Sequence, residues 1–143
     1  YETEEALKAG ADIVTIMAVT EKKTIEEGIK VAKEYGRKIM TDLLSVQNIG
    51  ERIEVLDKMG VDYICLHTSK DLQRDGMNMA ASFGKYRSSI KNSGIALAGG
   101  ISIDNVKSYV ELAPDIIIVG EGIVAQKDRR EKAKRIKEIM IGR

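Results

Sequence analysis

The chain is predicted to be an α/β protein, its parallel strands covered by helices. Three observations predict this. The apolar runs are continuous rather than alternating, as in "DIIIVG" (115–120), which is how strands buried on both faces read. Amphipathic stretches with helical spacing lie between these runs. The pattern also repeats. "KAGADIVTIMAV" (8–19), "KMGVDYICLHTS" (58–69) and "ELAPDIIIVGEG" (111–122) each pass from a helix-like end, through a small residue and an aspartate, into an apolar run. "YGRKIMTDLLS" (35–45) and "NSGIALAGGIS" (92–102) are looser versions, so the unit recurs roughly every 25 residues.

Residues 1–9, "YETEEALKA", read as the tail of an earlier helix. A strand is predicted near 12–18, followed by a helix over 24–36 with Ile25, Ile29 and Ala32 on its apolar side and Gly36 as terminator. The second strand falls near 37–43, and its helix over 48–60 aligns Ile49, Ile53 and Leu56 and closes on Gly60. The third strand is 61–67. The helix after it, within 76–92, is weakened by Gly76 and Gly84. The fourth strand, 94–98, leads to a helix over 102–113 with Ser102 as N-cap. The fifth, 115–119, follows Pro114, whose missing N–H does least harm at a strand's start. A last helix over 128–140 opens on Asp128 and carries Ala133, Ile136, Ile139 and Met140.

No Pro-, Ser- or Gly-rich linker divides residues 1–143, which read as a single domain of five βα units. Two architectures fit: an open doubly wound sheet, or part of a (β/α)₈ barrel. A closed barrel takes roughly 200–250 residues. Five units are too few to close one, so upstream units are expected to precede this segment.

Composition narrows the function. With 23 basic and 22 acidic side chains, the net charge is +1, and no basic excess marks a nucleic-acid footprint. No apolar run approaches the roughly 18–20 residues of a membrane span. A single cysteine makes no intrachain disulfide and suits a reducing cytoplasm, and one cysteine with one histidine excludes Cys/His metal clusters. Any metal would be a hard cation on carboxylates.

In both architectures ligands bind beyond the carboxyl ends of the strands. Those positions hold Met17 and Ala18, Asp42, His67, the Ala98-Gly99-Gly100 turn and the Gly120-Glu121-Gly122 turn. An imidazole, a carboxylate and two glycine turns are therefore expected at one face. Glycine after a strand brings bare N–H groups close to a ligand, and a following helix aims its N-terminus there. The pair of turns points to a phosphate held by Gly99, Gly100, Gly120 and Gly122. No Gly-Lys-Ser/Thr follows, so a nucleoside triphosphate is not implied. His67 fits a proton donor, a hydrogen-bond partner for a sugar oxygen, or a structural imidazole. Asp42 needs a partner if buried, with Lys70 or Lys38 in reach by sequence, or else it is a solvated cap. Cys65 points away from residues 64 and 66 and reads as a small core residue.

"AGADIVTI", "KIMTDLLSV", "GVDYICLHTSKD", "IALAGGIS" and "PDIIIVGEGI", in this order, resemble the hexulose-phosphate synthase family, in the orotidine-5′-phosphate decarboxylase-like barrels that also hold keto-gulonate-phosphate decarboxylases. The likeness runs over essentially the whole chain. It implies that the chain is the C-terminal five units of a (β/α)₈ TIM barrel. The implied reaction is a Mg²⁺-dependent aldol addition of formaldehyde to D-ribulose 5-phosphate, by a homodimer. Asp42 then matches the family's fifth-strand carboxylate, His67 its sixth-strand histidine, and Gly99, Gly100 and Gly120 its phosphate turns. The Asp-x-Lys-x-x-Asp motif that carries a metal ligand and the key lysine is absent, so the Mg²⁺ ligands are expected upstream. These 143 residues alone are accordingly expected to be inactive. Lys70, adjacent to the substrate, stands where the decarboxylases have arginine, and His67-Thr68 leans towards the synthases. Glu121 replaces an expected glycine or arginine and would repel a phosphate unless it points outward. A non-catalytic phosphate-binding fragment is the remaining alternative.

Overall fold

The computed structural model describes residues 1–68 and 79–142. The described elements are α1 (Glu2–Lys8), β1 (Ile13–Met17), α2 (Lys22–Glu34), β2 (Lys38–Asp42), α3 (Ile49–Met59), β3 (Tyr63–His67), α4 (Met79–Arg87), β4 (Gly94–Ala98), α5 (Val106–Val110), β5 (Ile116–Ile118), α6 (Glu121–Val124) and α7 (Arg129–Met140). The strands form one parallel sheet in chain order, β1-β2-β3-β4-β5. A doubly wound sheet reverses its strand order at a switch point. The unbroken order is that of a run of barrel units, and it decides between the two architectures.

Alternation along each strand sorts the side chains between the two faces. Ile39, Ile64, Leu66, Ile95 and Leu97 meet the helices, joining Ile25 and Ile29 of α2, Ile53 and Leu56 of α3 and Ile136 of α7 in the main core. Ile53 and Leu56 are fully buried, and truncating such a side chain to alanine costs about 2–5 kcal/mol. The other face holds a small cluster of Met40, Cys65, Ala96 and Ala98, flanked by Ile13, Tyr63 and Ile116. At its two margins Met17 on β1 and Ile118 on β5 are exposed. This is the face that a barrel turns inward.

The repeated aspartate has a structural job. Asp62, just before β3, accepts a hydrogen bond from the Ile39 N–H at 2.9 Å and donates its own N–H to the Ile39 carbonyl at 3.0 Å. Asp115, before β5, does the same to Ile95 on β4, at 2.8 and 2.9 Å. Each clamps the start of the preceding strand, at the rim opposite the strands' carboxyl ends. Asp12, before the edge strand β1, pairs with Arg37.

α3 ends on Gly60 in the left-handed region (φ 80°), as its spacing predicts. Asp128 caps α7 by accepting the Glu131 N–H at 2.9 Å. The helix placed over 102–113 is corrected: α5 spans only Val106–Val110, and Ser102 is not its N-cap. The Asn105 side chain instead binds back onto the loop, its Oδ1 taking the Ser102 N–H at 2.8 Å.

Candidate active site

Asp42 ends β2 and His67 ends β3, on the same face of neighbouring strands. The register pairs Asp42 with Cys65, which puts His67 one inward-facing position further along. The His67 Nδ1 lies 2.9 Å from Asp42 Oδ2 and 3.2 Å from Oδ1. Asp42 Oδ1 also accepts the Leu44 N–H at 2.8 Å, which turns the chain out of the strand. Both side chains are largely sheltered, at 27% and 15% exposure. The partner foreseen in Lys38 is corrected. Lys38 opens β2 at the far rim, where its Nζ donates to the Tyr63 hydroxyl at 3.0 Å. Lys70 lies outside the described residues.

The hydrogen bond to Asp42 raises the His67 pKa above 6.5. Burial opposes the shift, and the charge of Asp42 adds to it. With Nδ1 engaged, Nε2 is the nitrogen left to meet a substrate. Beneath this pair Cys65 is fully buried, and burial together with the Asp42 charge pushes its thiol up to about 12. A thiol held that far from ionisation is no nucleophile.

A cavity of about 450 Å³ opens beside His67. Its walls include Thr68, Gly99, Gly100, Gly120, Glu121 and Gly122. The predicted imidazole and both glycine turns therefore share one mouth. Asp42 is not on its wall and supports His67 from behind. Gly99 and Gly100 both take left-handed backbone (φ 97° and 66°). A Cβ on Gly99 would stand 2.2 Å from the Thr68 carbonyl oxygen, and one on Gly122 would stand 2.4 Å from that of Ile101. The glycines let three strand ends close on one another. Among the described residues, no acceptor engages the N–H groups of Gly99, Gly100, Gly120 or Gly122. Such a cluster of N–H donors suits an anion, while Glu121, on the same wall, brings the repelling charge that the sequence raised.

The helix contribution is smaller than foreseen. α5 begins six residues after Gly100, and α6 has only four residues, so the turns rather than helix dipoles carry the donors. Sequence reasoning passed over Asn105, whose Nδ2 donates to the Gly100 carbonyl at 2.9 Å. Nothing local marks it, because its partners are backbone groups. Among the described residues no three His, Cys, Asp or Glu side chains stand together as candidate metal ligands.

A family model described as "Orotidine 5′-phosphate decarboxylase / HUMPS family" matches residues 1–136. A 3-hexulose-6-phosphate synthase of Bacillus subtilis is 38% identical over 99% of the chain and 67% of its own length. One of Staphylococcus epidermidis is 42% identical over the whole chain and 68% of its own. The crystal structure of 3-hexulose-6-phosphate synthase from Salmonella typhimurium superposes with a TM-score of 0.89 at 33% identity, covering 99% of this chain and 67% of that one. The chain thus spans about two thirds of the length of these relatives.

Proposed function

Because the chain belongs to the orotidine 5′-phosphate decarboxylase/HUMPS family, we propose that it supplies the last five units of a barrel aldolase that joins formaldehyde to D-ribulose 5-phosphate, giving 3-hexulose 6-phosphate. The observation that carries this reading is the shared mouth: His67, braced by Asp42, faces the same cavity as two glycine turns whose N–H groups meet no acceptor among the described residues. In this reading the turns bind the sugar's phosphate, which fixes the distance of the reacting carbon from His67.

The addition needs no redox partner. A proton leaves C1 of the ribulose phosphate, C1 bonds to the formaldehyde carbon, and the former carbonyl oxygen of formaldehyde takes up a proton. His67, whose imidazolium form the hydrogen bond to Asp42 favours, donates that last proton from Nε2. Mg²⁺ is part of the resemblance. The steps assigned to this chain's own residues run through His67, Asp42 and the turns.

The test is an assay, with both substrates, of the full-length barrel enzyme that contains these residues. Formaldehyde-dependent loss of D-ribulose 5-phosphate, with one hexulose phosphate formed per pentulose consumed, is the expected result. Release of CO₂ from 3-keto-L-gulonate 6-phosphate without that loss would overturn it in favour of the decarboxylase.

A further inference from the structure

The loop after β4 has to hold two consecutive left-handed glycines and then turn into α5. Left-handed glycine is the most permissive backbone there is, so something outside the two glycines must choose its geometry. Thr68 bounds the loop on one side, against Gly99, and Gly122 bounds it on the other, against Ile101. Those contacts limit how close the loop can come but do not orient its peptide planes. The Asn105 carboxamide does. Its Oδ1 accepts the Ser102 N–H at 2.8 Å while its Nδ2 donates to the Gly100 carbonyl at 2.9 Å.

One planar group thus ties together two peptides that flank Ile101. The Gly100 carbonyl belongs to the peptide that carries the Ile101 N–H, so the Nδ2 contact sets that plane. The Oδ1 contact occupies the Ser102 N–H, which removes this group from the donors available to a ligand. We infer that Asn105 is a positioning residue that holds the peptide between Gly100 and Ile101, and with it the end of the glycine turn, in the orientation that meets the substrate's phosphate. This deepens the proposed function and rests on its assignment of the turns to phosphate.

Asn105 needs both halves of its amide. In Asn105→Asp the acceptor for Ser102 remains, but the Gly100 carbonyl meets a carboxylate instead of a donor, and a negative charge enters the rim. The experiment is calorimetric titration of wild type and Asn105→Asp with D-ribulose 5-phosphate and, in parallel, with D-ribulose. Wild type should prefer the phosphorylated sugar. Asn105→Asp should lose about tenfold or more of that preference, with its affinity for D-ribulose unchanged. A purely structural role would lower the melting temperature without moving this ratio. Should Asn105→Asp not fold, Asn105→Ser, which cannot span both peptides, is expected to lose preference in the same direction. A wild-type protein with no preference would overturn the phosphate assignment and this inference with it. A wild-type preference kept in full by a folded variant would overturn the role of Asn105 alone.

Discussion

In the full-length barrel enzyme, His67→Ala is expected to lower turnover of D-ribulose 5-phosphate with formaldehyde by about 10²-fold or more, the range removed with a general acid. The fold should survive, because the ring is at the rim and 27% exposed rather than in the core. Asp42→Asn tests the same pair from behind. It keeps the shape but withdraws the charge and weakens the hydrogen bond that together raise the His67 pKa, so the imidazolium is lost at lower pH. The high-pH limb of the rate profile should therefore move down in Asp42→Asn. Linkage has the matching sign. A pKa raised by folding stabilises fully below the unfolded value near 6.5, and that contribution fades as pH climbs through the folded value. Steady-state rates across pH check both variants. An unchanged rate with only a lower melting temperature would return His67 to a structural part.

A large loss of stability is expected at Asp57, on the buried face of α3 and 5% exposed. Its carboxylate accepts the backbone N–H groups of Lys91, Asn92 and Ser93 at 2.9–3.1 Å and the Asn92 side-chain amide at 3.0 Å. It thereby fastens the segment before β4 onto α3. Asp57→Ala leaves three N–H groups without their acceptor, at about 1–3 kcal/mol each. A total of about 3 kcal/mol or more is a large share of a domain's usual 5–15, and corresponds to a fall of about 10 °C in Tm. Burial alone would raise the Asp57 pKa, but the three N–H groups outweigh it and hold the carboxyl below 3.8. A pKa lowered by folding stabilises above the unfolded value, and that contribution is lost as pH falls through the folded one. Thermal unfolding from pH 7 to 3 should show wild type losing this increment while Asp57→Asn, which cannot titrate, does not.

Asp57 shows where the sequence stops being legible. The periodicity of 48–60 identifies α3 and its apolar face through Ile53 and Leu56, but it cannot say that an aspartate on that face is fed by a loop more than thirty residues away. The strands were legible because a run such as "DIIIVG" has few other ways to be buried. Their shared direction put Asp42, His67 and the glycine turns at one rim before any distance was known. The repeated aspartates were visible as a pattern, and their clamping of Ile39 and Ile95 appears only once strands are paired. Ser102 misled because a serine ahead of an apolar stretch reads as an N-cap, whereas Asn105, three residues on, takes its N–H. Lys38 and Asp42 stand at opposite ends of one strand, whereas His67 reaches Asp42 through the register of β2 with β3, which the sequence alone does not reveal.

The chain has one histidine, so its imidazole resonance is unambiguous, and its titration by NMR tests the shared mouth most directly. A midpoint above 6.5 is expected, falling in Asp42→Asn, together with a resonance that moves when D-ribulose 5-phosphate is added. A midpoint at or below 6.5 that ignores Asp42→Asn, with a resonance that a saturating sugar phosphate leaves in place, would contradict it.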